Sequence, residues 1–342
     1  MSGNDKGEDA MQRIATEEAF SVPEQMDAMR KVVAAASEYD PDLYLWNVTL
    51  GGGVIHDRLL DLDGERLDIM DQAGIDMQLL SLTSTGVQML DPDIAAAVAI
   101  TANDQLADVI HRHPTRYAGL ATVPPQNPAA AVREVERAIA ALKLNGVVIN
   151  SHTNGEFLGE VKYRPILEAI EAHKAPLYLH PRCPGPLHAA AYRVDQLEHA
   201  IWGYAAETSL HALRLITAGV FDDFPALTVV LGHMGEGIPY WLYRIDYMHE
   251  MTAKMGMKRR QLKRRPSEYF HDNFAITTSG MNWTPPLEYN VSVLGADKVM
   301  FAVDYPYQET FEAVNWMNQA PLSQETKQLV FGGNARRIFD IR

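Results

Sequence analysis

Several apolar runs in this chain close on residues that can bind a cation or move a proton. Glu17 and Glu18 follow RIAT, His180 follows APLYL, His233 follows LTVVLG and Asp304 follows KVMFAV. A carboxylate behind a run such as FAV is costly to bury unless it is paired or binds a cation. Imidazole and carboxylate together make a ligand set for a divalent metal. A single strand-end histidine is ordinarily a satisfied structural group. Four separate runs that each end on a potential ligand point instead to one shared centre, provided the scaffold brings those ends together.

Such a scaffold is written along the whole chain. Short apolar runs lie at 13–19, 76–83, 117–123, 146–150, 175–180, 227–233, 274–279 and 298–304. Most are apolar at consecutive positions, as in strands covered on both faces. Segments of helical period separate them, among them 59–74 and 128–146, the latter ending in Asn-Gly as helices often do. Eight strands alternating with helices predict parallel βαβ units closed as an α/β (β/α)8 TIM barrel, whose strand ends converge on one face. A doubly wound sheet would carry a glycine-rich loop after its first strand. Here TEEAFSVPE follows instead, and the GGG at 51–53 reads as a flexible loop.

One domain is expected over 11–342, with 1–10 a polar, disordered lead-in unlike a signal peptide. Two βα-loop insertions, 181–205 and 237–273, are placed on the catalytic face. The basic run at 258–265 reads as a solvated helix face or an oligomer contact.

Composition narrows the function. The 342 residues carry a net charge of −14, which excludes nucleic acid or an anionic membrane as partner because both need clustered Lys and Arg. A lone cysteine, Cys183, precludes an intrachain disulfide and points to the cytoplasm. No apolar run is long enough to span a bilayer.

Five motifs together, TEEAF (16–20), LYLHP (177–181), LGHMGE (231–236), AVDYPY (302–307) and GGNARRIF (332–339), are similar to the amidohydrolase-2 branch of the amidohydrolase superfamily. Within it the chain resembles the non-oxidative aromatic-acid decarboxylases that act on 5-carboxyvanillate, 2,3-dihydroxybenzoate and γ-resorcylate. The resemblance runs from about residue 11 to the end. It implies Glu17, His180 and Asp304 as metal ligands, and His233 with Glu236 as a pair that orients substrate and assists proton movement. It further implies Tyr307 as a pocket wall, Thr83 beside the substrate, and Arg244 reaching a substrate carboxylate across the interface of a homodimer or homotetramer.

One position departs from many zinc-dependent members, which carry histidine two residues after the first ligand. Here Ala19 stands there. One imidazole and two carboxylates make a hard site that suits Mn²⁺, or Mg²⁺, better than Zn²⁺. No organic cofactor is implied. The expected reaction releases CO2 from a small hydroxybenzoate-type acid, with Asp304 both ligand and acid toward the ring carbon. A lactonase-like hydrolase of the same superfamily is the alternative, and a binding protein that kept only the fold is the third reading.

The remaining groups have plainer roles. His111, His113 and His173 lie near helix C-termini, where a cation meets the helix dipole. His152 follows a strand end and is a pocket candidate. His188 and His199 lie in the 181–205 insertion, and His188 is taken as a substrate contact. Cys183 reads as a bystander thiol. Arg58 reads as the start of a helix, and 43–56 as shorter than the matching loop of the carboxyvanillate enzyme.

Overall fold

The computed structural model describes residues 11–257 and 260–342, so the lead-in expected over 1–10 lies outside the described residues. Eight parallel strands follow in sequential order: β1 (Ile14–Phe20), β2 (Met77–Leu82), β3 (Tyr117–Thr122), β4 (Gly146–Asn150), β5 (Leu177–His180), β6 (Val229–Leu231), β7 (Phe274–Thr277) and β8 (Val299–Met300). Each pairs with the next, from Ile14 opposite Met77 to Ile276 opposite Val299. Backbone bonds then join the end to the beginning. Thr16 N–H donates to Phe301 O at 3.1 Å, Ala19 N–H to Tyr305 O at 2.7 Å, and Asp304 N–H to Glu17 O at 3.1 Å. The result is the single-domain (β/α)8 barrel expected from the alternating runs.

The first connection carries α1 (Pro23–Ala35), α2 (Pro41–Leu50), α3 (Val54–Leu60) and α4 (Glu65–Ala73). After β2, β3 and β4 come α5 (Pro92–Arg112), α6 (Pro128–Ala140) and α7 (Arg164–Ala172). After β5 come α8 (Pro186–Arg193), α9 (Gly203–Thr217) and α10 (Val220–Asp223), and after β6 come α11 (Leu242–Lys254) and α12 (Pro266–Asn273). Six of these helices open on proline, which lacks only an N–H that would be unpaired there and has φ preset for the first turn. Asp40, Asp91 and Asn127 cap the backbones behind three of those prolines.

The core forms two layers. Inside the barrel every strand contributes, through Ile14, Leu79, Leu120, Val148, Tyr178, Val230, Ala275 and Met300, and the C-terminal Ala335, Phe339 and Ile341 close the floor. The GGNARRIF motif therefore has a structural role: Asn334 Nδ2 donates to Ala296 O and Val299 O, both at 2.8 Å. A larger layer fills the space between strands and helices.

Four expectations change. The helix expected over 59–74 is broken into α3 and α4, because Asp61 turns the chain by accepting from Gly64 N–H (2.8 Å) and Arg66 N–H (2.9 Å). Helix α6 stops before Asn145-Gly146. Asn145 instead ties strands to the floor, accepting from Gly119 N–H and donating to Phe339 O. Strand β8 ends at Met300 although the apolar run continues to 303, since Ala302 and Val303 N–H donate to the side chains of Thr278 and Glu18. The described part of the basic run is not a helix face: Arg260 pairs with Asp223 and Arg264 with Asp272. Among the described residues no helix is long and apolar enough to cross a membrane.

Candidate metal centre and substrate cavity

Strand geometry separates the two glutamates that residue types alone left equivalent. Glu18 turns toward the chain after β8 and accepts from the N–H groups of Val303 (2.9 Å) and Tyr305 (3.2 Å). Burial dominates its environment and pushes its carboxyl up to about 8. Glu17 turns the other way, and its Oε2 accepts from Tyr178 OH and from Thr277 Oγ1 (3.0 Å). Its Oε1 is buried without a hydrogen-bond partner among the described residues.

That orphan oxygen faces an imidazole nitrogen. His180 Nδ1 lies 2.8 Å from Pro181 O, an acceptor only, so the ring proton is fixed on Nδ1 in the neutral form. Nε2 then presents a lone pair 3.4 Å from Glu17 Oε1. Two electron pairs held this close require a cation between them or a proton. Asp304 supplies the third arm: ligand atoms of Glu17, His180 and Asp304 all lie within 4.8 Å of one another. The set fits a hard divalent ion. Gly232 makes the room, since a Cβ there would lie 2.6 Å from Glu17 Oε2.

Proton-active groups flank this cluster. His233 Nδ1 lies 3.0 Å from Glu236 Oε1, and its Nε2 lies 3.9 Å from Asp304 Oδ2. Burial disfavours the imidazolium, yet the carboxylates of Glu236, Glu17 and Asp304 outweigh it and raise His233 well above an ordinary histidine. Burial lifts the Asp304 carboxyl and the charge of Glu17 adds to it, with His233 opposing. Glu17 moves down despite its burial, because His233, His180 and Tyr178 together overcome it. The backbone is strained at the same place. His233, Met234, Glu236 and Asp304 hold φ of 46°, 56°, 55° and 76°, a conformation that costs a side-chain-bearing residue about 1 kcal/mol or more.

A cavity of about 310 Å³ opens onto His180, His233 and Asp304. Thr83 and Tyr307 form part of its wall, with their hydroxyl oxygens 2.6 Å apart and burial pushing the Tyr307 phenol up to about 12. Helix α2 supplies Trp46, where a loop was expected, the segment after α8 supplies His199, and the first turn of α9 supplies Tyr204. The described lining contains no lysine or arginine.

Three sequence candidates stand elsewhere. His188 sits on the solvent side of α8, whose inward residue is Ala189, so His199 takes the place in the wall expected of it. Arg244 is exposed in the first turn of α11 and does not line this protomer's cavity. His152 is buried, donating from Nε2 to Cys183 O (3.1 Å) and accepting Gly155 N–H at Nδ1 (3.1 Å). Arg58 lies in the last turn of α3, not at a helix start, and pairs with Glu65. Trp46 and Tyr204 were missed by sequence reasoning; the Asp40-Pro41 cap was the available signal for α2.

Residues 39–341 match the family described as amidohydrolase. A gamma-resorcylate decarboxylase of Rhizobium radiobacter is 35% identical over 338 residues, covering 96% of this chain and 98% of that one. The solved structure of 5-carboxyvanillate decarboxylase from Sphingomonas paucimobilis superposes with a TM-score of 0.95 at 46% identity, covering 97% and 100% of the two chains. The 5-carboxyvanillate decarboxylase of Novosphingobium aromaticivorans, complexed with manganese and 4-hydroxy-3-methoxy-5-nitrobenzoic acid, gives 0.94 at 39% identity, over 98% and 97%.

Proposed function

The chain belongs to the amidohydrolase family, and on that premise we propose that Asp304 is the acid of a non-oxidative decarboxylation of hydroxybenzoate-type acids. The enzyme is a metal-dependent carboxy-lyase, similar over nearly its whole length to decarboxylases of this substrate class. The observation that carries the reading is the double membership of Asp304. It belongs to the ligand cluster and also to the wall of the cavity of about 310 Å³.

Glu17, His180 and Asp304 would hold the ion. Bound there, a divalent cation such as Mn²⁺ supplies positive charge against the anionic oxygens of the substrate. Asp304, whose carboxyl is raised by burial, enters the reaction protonated and gives its proton to the ring carbon that bears the carboxylate. A C–H bond forms, the bond from that carbon to the carboxylate breaks, its electron pair restores the aromatic ring, and CO2 departs. His233, held at Nδ1 by Glu236, returns a proton to Asp304. Thr83 and Tyr307 pack and orient the ring.

The exposed aromatics of the α11 end, Tyr240, Trp241 and Tyr243, support packing against a second copy, with Arg244 at that contact. The single cysteine supports a cytoplasmic setting. The test is CO2 release from a panel of 2-hydroxybenzoates by the Mn²⁺-loaded enzyme, followed in the ultraviolet. Ring opening of lactones without CO2 release would overturn the reading.

A further inference from the structure

His199 is a polar wall residue for which the proton chemistry above has no use. Its ring is held on two sides. Nδ1 lies 3.3 Å from Cys183 Sγ, and one face stacks on Tyr44 with centroids 6.1 Å apart and planes inclined by 28°. Cys183 is fully buried, and burial together with the neighbouring Asp42 carboxylate pushes its thiol far above the usual range, so the sulfur keeps its hydrogen.

The thiol has three side-chain neighbours, His199, Asp42 and Tyr204. Asp42 Oδ2 accepts from Arg182 Nε (2.9 Å) and Nη2 (2.6 Å), and Oδ1 accepts from Cys183 N–H (3.2 Å). With three N–H groups already on Asp42, a thiol that gives its hydrogen to His199 Nδ1 places the imidazole proton on Nε2. Nε2 has no hydrogen-bond partner among the described residues, and the ring lines the cavity. With no lysine or arginine in the described wall, a ring substituent away from the metal cluster meets neutral donors.

We propose that His199 is a specificity-determining residue, donating from Nε2–H to a hydroxyl or alkoxy oxygen that the substrate ring carries away from its reacting carboxylate, and that Cys183 is the positioning residue that fixes this tautomer. The proposal rests on the decarboxylase reading.

The test compares wild type, His199→Phe, His199→Gln, Cys183→Ala and Cys183→Ser. The substrates are 2-hydroxybenzoate and its ring-hydroxylated and methoxylated derivatives. In His199→Phe the kcat/KM ratio of oxygen-substituted acid to plain 2-hydroxybenzoate is expected to fall about tenfold, mainly through KM, the size of one lost hydrogen bond. Glutamine, which keeps a donor, is expected to restore most of the ratio. Cys183→Ala lowers the ratio less, and serine, which keeps a donor to Nδ1, restores it. Independently of turnover, ring-¹⁵N spectra of histidine-labelled enzyme, assigned with the His199 variants, are expected to show Nε2–H in wild type and a mixed tautomer in Cys183→Ala. An unchanged ratio in His199→Phe, or a wild-type proton on Nδ1, overturns the assignment while leaving the decarboxylase reading intact. CO2 release from none of the acids by wild type overturns both.

Discussion

Among the described residues two clusters of buried imidazole and carboxylate stand out, and only one of them has the properties of a reaction site. At the barrel mouth stand Glu17, His180, His233 and Asp304. Beside β4 stand Ser151, His152, Glu207 and His211, with Ser151 Oγ 3.3 Å from His211 Nδ1 and 3.4 Å from Glu207 Oε1. By residue type the second resembles a hydrolytic Ser-His-acid set. Its ring nitrogens, however, are consumed: Leu158 N–H donates to His211 Nε2 at 3.0 Å, and both nitrogens of His152 are bonded. Phe157 packs edge-on against His211, and burial drives both histidines down to about 3, so they stay neutral. None of the four lines the cavity. At the mouth, by contrast, Glu17 Oε1 lacks a hydrogen-bond partner among the described residues, and its neighbours His180 and Asp304 line the cavity. Unsatisfied electron pairs beside a void mark a site; residue identity alone does not.

Mutations should therefore separate the clusters by what they damage. Asp304→Asn should cost the largest effect, about 10²–10⁴-fold in kcat measured by CO2 release, with the melting temperature nearly unchanged. Appreciable retained turnover would assign the acid elsewhere. Glu17→Gln should weaken Mn²⁺ binding by at least about two orders of magnitude, read by elemental analysis after dialysis against graded free metal. Chelation should correspondingly lower the melting temperature of wild type and barely move that of the variant.

At the β4 cluster the damage should fall on stability. His211→Asn is expected to cost about 2–4 kcal/mol in denaturant unfolding while kcat per folded molecule is retained. A selective loss of kcat would make this cluster part of the reaction after all. The smallest effect concerns Glu207. Burial dominates its surroundings and pushes its carboxyl up to about 7. Because the folded value lies above the unfolded one, its contribution is complete below about pH 4.5 and is lost as pH rises through 7. Glu207→Gln should thus narrow the gap in melting temperature between pH 5.5 and pH 8.5, and an unaltered gap would place the titration on another group.

The barrel was legible because each buried parallel strand declares itself as a short consecutive apolar run, and all eight strands fall inside or within a residue of the runs read for them. The candidate ligand cluster was legible because Glu17, His180 and Asp304 break the polarity of such runs at their ends. What stayed hidden depends on direction. Glu17 and Glu18 are adjacent and chemically identical, and only the irregular register between Ala15 and Glu18 decides which way each points. His188 and His199 are indistinguishable until α8 turns one to solvent. Helix α2 escaped because LYLWNVTL has no helical period of apolar residues to announce it; its Pro41 start and Asp40 cap did.

The left-handed backbone at Asp304 bears on how this protein would evolve in the laboratory. Glycine adopts that conformation without strain, so a library screened for heat resistance in the presence of a chelator, where the ligand role of Asp304 contributes nothing, should admit Asp304→Gly and return folded, silent barrels. Selection for turnover would have to run in parallel with selection for stability, because at this one position the two pull the sequence in opposite directions.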